Sequence, residues 1–379
     1  MFGTPSITCP DLPGDVTVLG MRIVTPDLME TGKQERNDEN DQERLCFDCV
    51  GGLAGQVFGF DLIPFRKGDL WGYADPFGAI VYPPEYKSAG VFRNGIARVQ
   101  TKEGYGYIAM TGREFFASNL ESARDFSDGM AAVKIKGTGK WGFLNQAFSI
   151  AIPPAYQEVG DFSENVAPAE LNGKWGVIDK QGKVLVPFQY DEIKPCRENA
   201  LAVCSAGEWG FIRPSGELLI DFQYKKACSF SKGAAAVSPD GESYIYIDST
   251  GNQVIPGEYQ QAGMFHDGVA AIRKNDAFGA IDKTGREIIP AVYAYISDFS
   301  DGLAVCSINS RFGYINTRGE LIIPLSYVEA SPFENGIARV WEERIRVTET
   351  SIDGSRVVQE IPVGGGYINM KNKKFYDCD

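Results

Sequence analysis

A stretch of about 34 residues recurs along this chain, and nothing else in the sequence limits its fold so severely. The copy at residues 172–190, NGKWGVIDKQGKVLVPFQY, shows the unit most clearly. An Asn-Gly turn (Asn172, Gly173) leads into a short strand at 175–179, and a second turn at Gly182 leads into another at 184–187. Short β-prone runs on either side of a glycine turn read as a hairpin.

With the aromatic residue of that unit as origin, the slot holds Trp71, Tyr105, Trp141, Trp175, Trp209, Tyr244, Phe278 and Phe312, at intervals of 34, 36, 34, 34, 35, 34 and 34 residues. Glycine follows each of them except Tyr244, where Ile245 stands instead. Seven residues past the aromatic comes a turn glycine, such as Gly182 or Gly216, replaced by Phe148 in the third copy. Glycine there supplies a positive φ without steric cost. Twelve past it comes a proline, such as Pro153 or Pro187, expected to end its strand because it cannot donate to a ladder. A tyrosine at fifteen (Tyr156, Tyr190) and a phenylalanine at twenty-one (Phe126, Phe162) complete the pattern, and a small apolar strand such as 130–133 opens the next copy.

Each unit therefore predicts a small apolar strand a, an aromatic-Gly strand b, a strand c ending at the proline, and a short strand d between the tyrosine and the phenylalanine. No single unit buries its aromatic face alone, whereas stacked neighbours do. The slot aromatics are accordingly expected to pack between adjacent sheets.

The recurring K/E-W-G-F/V-I-D-x-x-G-x-x-V/I-I-P-x-x-Y, followed by F-S-x-G-x-A-A-V, resembles the WG repeat, also called the KWG repeat, found widely in bacterial proteins. The resemblance spans roughly residues 58–340, with eight copies in register. It implies an all-β repeat region and a bacterial source. It carries over no catalytic residue, because the shared positions are architectural. Unit two departs from the pattern, with Ala117 for the proline and Leu120 for the tyrosine, and unit three departs at Phe148.

The organisation expected is an N-terminal segment, 1–51, containing an almost wholly polar stretch at 30–44 that reads as a mobile loop. The β-repeat array then runs over 52–343, a hairpin is inserted at 344–364 around Asp353 and Gly354, and a partial repeat closes the chain at 365–379. The expected fold class is all-β, with tandem antiparallel β-meanders stacked into a curved, open, solenoid-like array. The alternative is a closed β-propeller with eight or nine blades, which a spare initial strand d and a missing final one would fit.

A net charge of −13 and a pI near 4.8 argue against a nucleic-acid partner, which needs clustered Lys and Arg, and suit a basic protein partner. No stretch reaches the roughly 18 to 20 apolar residues of a membrane helix. The first 16 residues lack the basic and apolar regions of a secretion signal, so a cytoplasmic location is expected, with signal-less secretion left open. Cys196, Cys204 and Cys306 fall in apolar slots and read as packing residues. Cys46 and Cys49 form a lone C-x-x-C, and His266 is the one histidine, so no metal or cofactor is expected. Asp179, Asp248 and Asp282 share the slot ending strand b and read as turn formers rather than catalytic acids.

These features point to a non-catalytic protein-binding repeat scaffold, with an acidic inhibitor or immunity-type protein as one form of it. The alternative is a lectin-like binder of a glycan or small ligand, favoured if equivalent polar residues line the same pocket in most units. Residues that break the repeat are the candidate partner contacts. They are Phe115 and Phe116 in unit two, Phe148 at a turn tip, Trp341 at the root of the insertion, and Arg344, Arg346 and Arg356, which make the insertion locally positive.

Overall fold

The repeat slots become a ring of small sheets. The computed structural model describes residues 21–24, 62–75, 78–350 and 356–377; the polar stretch at 30–44 and Cys46 and Cys49 lie outside them. The described strands form nine antiparallel sheets, here blades 1 to 9 in chain order, and a separate two-stranded hairpin. Blade 4 is representative: strand d Glu158–Val159, strand a Val166–Leu171, strand b Lys174–Asp179 and strand c Val184–Tyr190 are hydrogen-bonded in that order. Strand d comes from the end of the preceding repeat, so blades 2 to 9 are each assembled across a repeat boundary, whereas blade 1 shows strands a, b and c alone among the described residues. Main-chain ladders thereby tie every repeat to the next.

The proline does not end strand c, contrary to expectation. Trp175 pairs with Tyr190 and Val177 with Val186, so two steps along strand b face four along strand c, and strand c bulges at Pro187. The bulge presses Val186 O onto Gly176, where a Cβ would come within 2.7 Å. The glycine of the Trp-Gly pair is thus required by close backbone approach rather than by a turn. Gly72, Gly142, Gly210 and Gly279 meet the facing carbonyl in the same way, at 2.5, 2.5, 2.7 and 2.5 Å from the ideal Cβ. Blade 6 meets the constraint from the other strand. Ile245 occupies the glycine slot of strand b, and Gly257, with φ +103°, stands where blade 4 has Phe188.

The deepest aromatic layer lies two residues beyond the Trp slot. Tyr73, Tyr107, Phe143, Phe211, Tyr246 and Tyr314 are fully buried and meet the phenylalanine at position twenty-one, as in Tyr73–Phe92 at 5.0 Å and Phe143–Phe162 at 4.7 Å. Their hydroxyls are satisfied locally: Tyr73 donates to Gly90 O at 2.7 Å and Tyr314 to Ser331 O at 2.8 Å. In the Trp slot itself Trp71, Trp141 and Trp209 are buried, but Trp175 is only half-buried.

The array closes, which overturns the open solenoid and establishes the propeller alternative with nine blades. Asn335 Nδ2 donates to Phe92 O at 2.6 Å, Arg93 pairs with Glu334, and the Trp71 and Tyr367 rings meet edge-on at 6.2 Å. Leu62, Trp71 and Tyr73 of blade 1 share one apolar cluster with Ile337 and Tyr367 of blade 9. The physical reason is burial: an open array leaves the apolar faces of its first and last blades in water, whereas the seam covers both. Two strands, Glu343–Thr350 and Arg356–Val363, form the hairpin inserted between strands a and b of blade 9. Its tip, 351–355, is outside the described residues.

Candidate functional site

The ring axis is located by an opening of about 690 Å³ that touches Arg197, Lys232, His266, Asp298 and Pro332, one from each of blades 5 to 9. Five consecutive blades share only the axis. A second opening, of about 380 Å³, meets Lys194, Cys228, Met264 and Asp298 and continues it. The turns between strands d and a line this channel. Each of those described carries a residue with positive φ, and Asp128 (48°), Glu164 (52°), Asp267 (50°) and Asp301 (53°) among them extend their side chains to the turn of the next blade. Glu164 accepts the N–H groups of Glu198 and Asn199, both at 2.8 Å; Asp267 accepts Gly302 N at 3.1 Å, and Asp301 accepts Gly336 N at 2.8 Å. Burial works to raise the Glu164 carboxyl, but the N–H groups of Asn199 and Glu198 outweigh it and hold the group below its ordinary value. Asp298 opens into the channel while crowded by protein, and that desolvation pushes its carboxyl up, countered in part by His266 and Met264 N–H.

The axial slot changes chemistry from blade to blade: Pro195, Ser229, Met264, Asp298 and Pro332 occupy it in blades 5 to 9. The condition set for the lectin-like reading, equivalent polar groups in most units, is not met at the axis. Other groups that chemistry might use are committed to structure. Asp179 accepts Gln181 N and Lys183 N, both at 2.9 Å, and Asp282 accepts Thr284 N at 2.9 Å, as turn formers do. Cys196 and Cys306 are buried in apolar clusters, and burial pushes both thiols up to about 12, the reverse of nucleophile activation.

The residues singled out for breaking the repeat divide into two groups on either side of blade 1. Phe115 and Phe148 are buried, at 1% and 3% exposure, and their rings stack at 5.6 Å, so neither is a surface contact. Phe148 sits with φ +61° in a turn of blade 3 and plugs the core of blade 2. Elsewhere that place is filled by an aliphatic residue of the bulged strand c, as Ile152 does against Gly182. Blade 2 has no bulge, so its irregular strand and the phenylalanine of the next turn compensate one another. Phe116 is half-buried and stacks on Tyr86 at 6.4 Å. At the other group, Trp341 is half-buried over the Arg339 guanidinium, which also faces Trp71 across the seam, at 4.7 and 5.4 Å. Arg344 is exposed and donates to Val328 O at 3.3 Å, while Arg346 and Arg356 stand opposite Glu360 and Thr350 in the hairpin register.

One pocket escaped the sequence reading. An opening of about 560 Å³ lies between Glu85 and Tyr86 of blade 1 and Glu114, Phe116 and Ala117 of blade 2. Burial, and then the neighbouring Glu85 charge, raise the Glu114 carboxyl. Tyr86 is 1% exposed, and among the described residues its hydroxyl has only the Glu85 carboxylate beside it. The one sequence signal near it was Ala117 in the proline slot.

Antiparallel blades, seven of the nine four-stranded among the described residues, closed into a ring by contacts between the first and the last, define a β-propeller. The WG containing repeat matches at 71–104, 105–138, 141–175, 175–207, 209–241, 246–276, 278–310 and 312–340, and the chain belongs to that family. Among solved structures, a eukaryotic initiation factor superposes with TM-score 0.54 at 10% identity, over 84% of this chain and 95% of that one, a likeness of fold alone. BamB from Moraxella catarrhalis (TM-score 0.38, 13% identity, 68% of this chain and 92% of that one) and a streptogramin B lyase (TM-score 0.35, 15% identity, 59% and 90%) are more distant. A search of curated proteins finds no match. Among the described residues, no helix is long and apolar enough to cross a membrane.

Proposed function

We propose that this propeller is a non-catalytic scaffold that binds another protein. The observation that carries the reading is a set of exposed apolar side chains that recurs at the first position of strand c. Val184 and Leu218 open strand c in the adjacent blades 4 and 5 and are 44% and 50% exposed, and Ile80 and Leu321 hold the same slot in blades 1 and 8 at 54% and 47%. Scattered surface apolar residues need no explanation, but exposed apolar side chains recurring at one slot of the outer strand are a surface suited to a partner. The variable turns on the fixed ring supply specificity. The net charge of −13 supports a basic protein rather than a nucleic acid as partner, and an acidic inhibitor or immunity-type protein is the particular form we favour. Free thiols at Cys196, Cys204, Cys228 and Cys306 accord with a cytoplasmic location.

The test is a double substitution, Val184→Lys with Leu218→Lys, in the full chain. Cross-linking capture from the native cell should lose its partner while the melting temperature stays unchanged. Capture at undiminished yield would remove this surface, and with it the support for this reading.

A further inference from the structure

Blade 2 differs from the other eight blades at strand c. Its residues Glu114–Ala117 pair one for one with strand b, with no shift of register. In every other blade that ladder is shifted. Bulges and prolines protect an edge strand from further pairing. Blade 2 has neither, and its edge carries a fifth, antiparallel strand, Met21–Val24, with Arg22 opposite Phe116 and Val24 opposite Glu114. The edge is therefore one that accepts an added strand.

We propose that this edge and the pocket beside it dock an extended basic segment of a partner protein. The segment adds as a strand along residues 114–117, in the place residues 21–24 now take, and inserts an arginine or lysine side chain among Glu85, Tyr86 and Glu114. The proposal rests on the reading of the chain as a protein-binding scaffold and supplies the partner's chemistry. Glu85, Glu103 and Glu114 line the pocket with a single cation, Lys102, and among residues 62–75 and 78–344 no ion pair engages Glu85 or Glu114. A guanidinium donates to both carboxylates and to the Tyr86 hydroxyl oxygen, and the stacked Tyr86 and Phe116 rings flank it. An apolar side chain would leave the two carboxylates without a cation, and an anion would be repelled by them. Main-chain pairing supplies affinity in such strand addition, and the pocketed side chain supplies selectivity. The resident strand lowers apparent affinity by competing for the edge.

Fluorescence anisotropy with the full chain tests this, using a fluorescein-labelled peptide of about ten residues, threonine and valine alternating around one central arginine. Replacing that arginine by citrulline, its neutral isostere, should weaken binding at least about tenfold. Glu85→Gln with Glu114→Gln should weaken the arginine peptide to a similar degree and leave the citrulline peptide unaffected. Arg22→Pro with Ile23→Pro removes the ladder donors of the resident strand and should tighten both peptides. Circular dichroism verifies that each variant keeps its fold. Equal binding of the two peptides, no response to the proline pair, or no binding to any variant would overturn the proposal. None of these outcomes touches capture that depends on Val184 and Leu218, so the scaffold reading fails or survives separately.

Discussion

At Gly176 the backbone is not left-handed, so an alanine there is refused by space alone: its Cβ would lie 2.7 Å from Val186 O and 2.9 Å from the Phe188 ring. Gly176→Ala should cost about 1–3 kcal/mol in chemical denaturation, and an unchanged midpoint would mean that the bulge retreats freely. Blade 6 offers the reciprocal case. Gly257→Phe should strain the blade against Ile245, and adding Ile245→Gly should restore stability by rebuilding the arrangement of blade 4; additive losses in the double-mutant cycle would count against that coupling. Burial also ranks the tryptophans. Trp141→Ala, at a site 6% exposed, should cost about 3–5 kcal/mol, and Trp175→Ala, at a half-buried one, clearly less.

The turns between strands d and a act as a relay of carboxylates onto neighbouring backbone N–H groups, and this gives the ring an acid-sensitive element. The folded pKa of Glu164 lies below its ordinary value of 4.5. Its contribution is therefore full above pH 4.5 and is lost as pH falls through the lower folded value. Glu164→Gln should lower the melting temperature at neutral pH and flatten the acid limb of the melting curve. Parallel curves for the two proteins between neutral pH and about pH 3 would show that the carboxylate is not a source of acid lability. The same scale explains unit two: without proline or bulge its strand c stays straight, its core needs Phe148 from the next turn, and its edge is left open to Met21–Val24.

For the molecule as a whole, the seam decides shape and cooperativity. Small-angle scattering should fit a compact disc rather than a crescent. Because blades 2 to 9 each take strand d from the preceding repeat and blade 9 is closed onto blade 1, unfolding should be a single transition. Fluorescence, with Trp71 at the seam and Trp175 in blade 4, should coincide with circular dichroism. Tyr367→Ala removes the edge-on contact to Trp71 and should lower both midpoints together; a fluorescence change that precedes the loss of sheet signal would reveal a seam that opens alone.

The sequence by itself determined the all-β class, the repeat period, the a, b and c strands and the Asp turns, because each rests on local rules: alternation, glycine at positive φ, and side chains that bond the next backbone N–H. It also marked units two and three as irregular. Closure, the count of nine blades and the bulge behind the Trp-Gly pair were decided only in three dimensions. They depend on contacts between residues as far apart as Phe92 and Asn335 and on how much apolar face an open end would leave in water. For the same reason Phe115 and Phe148, read from the chain as exposed exceptions, prove to be one packed pair. Glu85 and Glu114, ordinary surface carboxylates in the sequence, converge on a buried tyrosine hydroxyl because two neighbouring blades place them on the same pocket.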